Sequence, residues 1–184
     1  MIHRGFLFVV VALFVGTSTS QAQGVPALSG NIAGGWGTTS SSAGETWFRS
    51  TNRPMASADI AVRIGGAGDT RPVIEVGYSF DVGPSDVTSI CLRAPNGSCR
   101  ASFPGTFGPS IGVGVRQVLG ARWLVGVTAG VASYSGQARY AAVDVSWRFA
   151  SHVGIVGEFK YLDMAYNSER VWFHPVTFGI RLYR

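Results

Sequence analysis

From Ser57 onward the chain alternates apolar and polar residues in runs of about ten, each ended by a break, which is the period of a strand with two unlike faces. In the first such run Ala58, Ile60, Val62 and Ile64 share one face, and Asp59, Ala61, Arg63 and Gly65 the other. Ile74, Val76, Tyr78 and Phe80 then oppose Glu75, Gly77, Ser79 and Asp81, and Ile111, Val113 and Val115 oppose Ser110, Gly112, Gly114 and Arg116. Trp123, Val125, Val127, Ala129 and Val131 continue the series, followed by Ala141, Val143, Val145, Trp147 and Phe149 against Ala142, Asp144, Ser146 and Arg148. Val153, Ile155, Phe159 and Tyr161 oppose Gly154, Glu158 and Lys160, and a closing run sets Val176, Phe178, Ile180 and Leu182 against Thr177, Gly179 and Arg181. A weaker run from Leu28 to Trp36 brings the number of predicted strands to eight.

The apolar face carries no charge, whereas the other holds five acids, five bases and eight glycines. Alternation alone does not say which face points outward, so a soluble, lipocalin-like barrel with an apolar interior is the rival. Three features favour the inverse. Balanced charges interleaved with glycine suit the narrow lumen of an eight-stranded barrel, where ionic side chains need room and partners. Aromatic residues gather toward strand ends, Trp36, Tyr78, Phe80, Phe159, Tyr161 and Phe173 at one end and Trp123, Trp147 and Phe149 at the other, as in interfacial girdles. Strands of about ten residues also match a tilted crossing of a bilayer. Breaks alternate in length: Thr39 to Ala56 and Gly83 to Thr106 are long, Gly66 to Pro72 and Leu119 to Arg122 short, then Tyr134 to Arg139, the tight Ala150 to His152, and Leu162 to Arg170. The pattern therefore predicts an all-β, eight-stranded antiparallel up-and-down transmembrane β-barrel with four loops outside and three turns plus both termini inside.

Composition agrees, since 25 glycines, 46% hydrophobic and 14% charged residues are too apolar for disorder. Residues 1–22 read as a signal peptide: a basic start at His3 and Arg4, an apolar run from Gly5 to Gly16, and small residues Ser20 and Ala22 before the cleavage point. That run is shorter than the roughly 20 residues of a spanning helix, leaving 23–184 as one barrel domain. The net charge of +5, or +4 without Arg4, is modest; no basic stripe or module points to nucleic acid. Cys91 and Cys99 flank the turn formers Pro95, Asn96 and Gly97. In an exported chain they are expected to form a disulfide worth about 2 to 3 kcal/mol on the chain-entropy model. No motif for a metal or cofactor emerges.

Across nearly all of 23–184, the polar-in pattern and the closing strand, Val176 through Arg184, resemble the eight-stranded outer-membrane barrels related to outer membrane proteins A and X and the opacity proteins; the chain departs from them in ending on Arg184, with the aromatic Tyr183 penultimate. The resemblance implies an integral position in a Gram-negative outer membrane, handling by the barrel assembly machinery, contact with outer-membrane lipid and lipopolysaccharide, a monomer, and loops free to meet an extracellular ligand.

The charged face predicts an ion-pair network of Asp59, Arg63, Glu75, Asp81, Arg116, Asp144, Arg148, Glu158, Lys160 and Arg181. Register places Arg63 opposite Glu75, and Asp144 opposite Glu158 with Arg148 and Lys160 diagonal to them. Such a lattice serves either as a structural seal or as the lining of a narrow solute or ion pore. Six arginines of the expected outer loops, Arg49, Arg53, Arg93, Arg100, Arg139 and Arg170, outnumber the acids Glu45, Asp86, Asp163 and Glu169; their forks suit phosphate, as on lipopolysaccharide. Some barrels of this kind modify lipid A, but that chemistry needs a nucleophile with a base. His152 falls at a turn, and two positions after His174 stands Val176, not a serine. The expected function is non-enzymatic: a structural or surface-interaction, adhesin-like barrel with a sealed lumen, with a pore as the alternative and a lipid-A enzyme behind both.

Overall fold

The computed structural model describes residues 24–43, 46–82, 108–134, 136–166 and 169–184, and of 41–53, 81, 166 and 169 only the backbone. Its strands are β1 (Leu28–Ala43), β2 (Thr46–Arg63), β3 (Thr70–Asp81), β4 (Gly108–Leu119), β5 (Trp123–Ser133), β6 (Gln137–Arg148), β7 (Val153–Tyr166) and β8 (Glu169–Tyr183). Each pairs antiparallel with the next, and β1 closes on β8, giving a barrel in sequence order.

Burial follows the two-residue period, with the apolar face outward. Val113 is 64% exposed, Phe178 59% and Ile180 55%, while Arg116 and Arg181 are each 1% exposed. Water would penalise this inversion, because about 25 cal/mol is lost for every Å² of apolar surface left in it; hydrocarbon removes the penalty. A lipocalin-like arrangement is therefore excluded. Closure is required by the same surroundings, since an open sheet edge in hydrocarbon would leave backbone N–H and C=O groups unpaired.

At the end that carries the termini, residues 64–69, 120–122 and 149–152 connect the strands; at the other end the connections are 44–45, 82–107, 134–136 and 167–168. Two expected outer loops are thus mostly strand. β1 and β2 pair out to Ala43↔Thr46 across a register shift between Gly37 and Thr39, and β7 and β8 pair out to Tyr166↔Glu169. Consequently Arg49 and Arg53 lie in β2, Arg139 in β6 and Arg170 in β8. Because Ser42 also pairs with Arg170, the adjacent strands β7, β8, β1 and β2 rise together as a sheet beyond the belt.

Two further expectations are corrected. Phe173 does not join the aromatic girdle; it points inward and is buried. Glu75 stands opposite Ala61, and Arg63 opposite Val73, because the turn after β2 shifts the pairing by two residues. A shift of two preserves faces and changes partners.

Candidate functional site

The lumen is filled in three layers. At the end opposite the termini, Met55, Ala132, Ala138, Tyr140, Ala142, Leu162, Met164, Val171 and Phe173 form an apolar cluster. At the terminal end Val25, Ala61, Val73, Leu124 and Tyr183 form a second. The chain preceding β1 contributes Val25 to it: Val25 N–H donates to the Gly68 carbonyl at 2.9 Å, and Arg63 Nη1 donates to the Val25 carbonyl at 2.5 Å.

Between the clusters lie Asp59, Glu75, Arg116, Asp144, Glu158, Lys160 and Arg181, all buried. Stripping such groups of water costs several kcal/mol per ion, so each needs a partner. Arg116 Nη2 donates to Glu75 Oε2 at 2.9 Å, its Nη1 donates to Ser29 Oγ, and its Nε lies 3.9 Å from Asp144 Oδ2. Arg181 Nη1 donates to Asp144 Oδ1 and, at 3.3 Å, to Ser146 Oγ. Asp144 thereby links arginines from β4 and β8 across the lumen. Lys160 Nζ bonds Glu158 Oε1 at 3.1 Å and lies 5.1 Å from the centre of the Tyr140 ring. Asp59 accepts from Asn31 Nδ2 at 3.1 Å.

Glycine makes the space for these side chains. Gly77 stands opposite Asp59, Gly112 opposite Glu75, Gly154 opposite Arg181, and Gly126 opposite both Arg116 and Asp144. A Cβ at Gly126 would strike Asp144 Oδ2, and one at Gly112 would strike the Tyr140 hydroxyl.

Of the network expected from sequence, seven members come together in the middle layer. Arg63 instead ties down Val25, and Arg148 is not diagonal to Asp144 or Glu158 but pairs with Gly154 and stacks 4.6 Å over the Tyr183 ring. Asp144 does face Glu158, and Lys160 sits diagonally from Asp144. The side chain of Asp81 lies outside the described residues, as do Cys91, Cys99, Arg93, Arg100 and the whole of 1–22. Ser29, Asn31 and Tyr140 were missed. Tyr140 was detectable, because it shares the parity of Ala142 and Asp144; Ser29 and Asn31 sit in the weakly alternating first strand.

His174 packs edge-on against Tyr161, with ring centres 5.0 Å apart, and His152 Nδ1 lies 3.2 Å from the Tyr183 carbonyl oxygen. Among the described residues, no hydroxyl or carboxylate bonds either ring.

An apolar outer wall around a packed, charge-bearing interior defines a transmembrane β-barrel. No protein-family model matches the chain, and no curated protein matches it at significance. Solved structures similar to it include the attachment invasion locus protein Ail of Yersinia pestis, at 8% identity and a TM-score of 0.49, with 83% of this chain and 97% of that one covered. Neisserial surface protein A is similar at 10% identity and 0.47, covering 86% and 97%, and a de novo designed transmembrane β-barrel at 12% and 0.45, covering 84% and 97%. Scores this low leave the functional reading to rest on the chain's own geometry.

Proposed function

We propose that the chain is an integral protein of a Gram-negative outer membrane, akin to outer membrane proteins A and X and the opacity proteins, that acts without catalysis as a rigid frame for surface interaction. The observation that carries this reading is the contrast between a lumen packed through three layers and a sheet of four strands rising from one end. The filling of the described interior argues against a solute route, and among the described residues no hydroxyl or carboxylate bonds either histidine ring. Among the described residues the raised end is open to a partner; there β1 continues for seven residues past Trp36 and β2 returns beside it, as a Ser- and Thr-rich hairpin. With the termini facing the periplasm, that hairpin faces the exterior.

Fractionation and bilayer recording test this together. The protein is expected in the outer membrane, migrating differently before and after boiling, and giving no sustained conductance in planar bilayers. Recovery as a soluble periplasmic monomer would overturn the membrane reading; steady openings would replace the frame with a pore.

A further inference from the structure

Cross-strand register lines up one outward row around the barrel: Val76, Ile111, Val131, Arg139, Asp163 and Trp172, on β3 through β8. The row passes from apolar to charged between β5 and β6. Arg139 thus stands beside the exposed Val131 and, beyond it, Ile111, at the upper margin of the lipid-facing wall.

Among the described residues its charge is only partly met, by Asp163. Asp163, directly opposite Arg139, is engaged from the other side by Arg170, which donates from Nε to Oδ1 at 2.8 Å and from Nη2 to Oδ2 at 2.5 Å. Two arginines against one carboxylate leave a net positive charge, and among the described residues Arg139 has no ion pair. These side chains line an open cleft of about 970 Å³ whose apolar side includes Val76, Ile111 and Val131. One row nearer the terminal end, the neighbours Ala129 and Ala141 form a low step between Val113 and Tyr161.

We infer that this cleft seats a phosphate of lipid A, the anionic, multiply acylated anchor of lipopolysaccharide. The guanidinium fork of Arg139 grips the phosphate, and an acyl chain lies against Val131 and Ile111 and down the step at Ala129 and Ala141. Three features meet in that ligand and in no soluble anion: an arginine without an ion pair among the described residues, an apolar wall continuous with the bilayer, and a position at the margin where hydrocarbon gives way to head groups. The inference rests on the outer-membrane reading above, because lipid A lies in the outer leaflet of that membrane.

Its test uses the protein refolded into nanodiscs, with retained lipid counted by native mass spectrometry. Lipid A is expected to be held about tenfold more strongly than its dephosphorylated form, and Arg139→Gln to abolish that preference. Ala141→Leu, which fills the step, is expected to weaken retention of both lipids while preserving the preference for phosphate. Equal retention of the two lipids by the wild type, or an unchanged preference in Arg139→Gln, would overturn the site. Displacement of lipid A by inorganic phosphate would do the same, assigning the arginine to a free anion. Heat-modifiable migration of each variant reports folding separately. The cellular location, measured by fractionation, can fail without altering the nanodisc result, so the two readings fail distinguishably.

Discussion

Asp144 is the residue on which the middle layer depends most, since it is approached by Arg181 from β8 and Arg116 from β4. Asp144→Ala leaves two guanidiniums buried with that partner removed, and breaking a buried pair from one side costs about 3 to 5 kcal/mol. We expect a loss of that size in urea titrations of the liposome-embedded barrel, followed by heat-modifiable migration; a loss below about 1 kcal/mol, the range of an exposed pair, would contradict the bridge. Gly126 allows the same contact from across the strand. Gly126→Val should cost about 1 to 3 kcal/mol by overpacking, and combined with Asp144→Ala its added cost should shrink, because the atom it strikes is gone. A double-mutant cycle reads that coupling. Alternating charges and glycines already mark the inward face in the sequence. What parity cannot reveal is that individual glycines sit opposite individual charges, because this depends on register.

Among the strands, register is where sequence reasoning loses its hold. Period-two patterning assigns Arg63 and Glu75 to one face under any shift of two residues, so only the turn decides that Glu75 meets Ala61. The long β1–β2 hairpin was hidden for a different reason. Residues 37–53 lack apolar and polar alternation, because a strand projecting beyond the bilayer has no lipid face to pattern; backbone pairing joins its two strands to each other and to β8. The belt does not need that hairpin. Replacing 40–49 with Asn-Gly, a two-residue turn suited to closing the Thr39↔Ser50 pair, should leave heat-modifiable folding and outer-membrane recovery intact and, on the proposed surface-interaction reading, should abolish the adhesion of cells displaying the protein. Adhesion equal to that of the full hairpin would move the interaction to another part of the raised end.

For the molecule as a whole, the proposed seal has three layers, and this governs what it takes to open it. The apolar layers were not legible because Phe173, Leu162, Met164, Leu124 and Val73 place apolar side chains on the inward parity near strand ends. There the alternation rule assigns polar residues, and the sequence reads as girdle or loop. Each layer is held independently: the outer by side chains of β2 and β5 through β8, the inner by Val25 tethered through Gly68 and Arg63. Phe173→Ala with Met164→Ala should therefore open the outer mouth without creating a path, since the ion-paired layer and the inner cluster still block it. Adding Val25→Gly and Arg63→Ala releases the inner layer, but the bridges from Asp144 to Arg181 and Arg116 still span the middle. Only when Asp144→Ala is included as well does the layered arrangement predict sustained single-channel openings in planar bilayers. Conductance from the outer-layer pair alone would show that the middle and inner layers do not seal, and the frame would have to be redrawn as a gated pore.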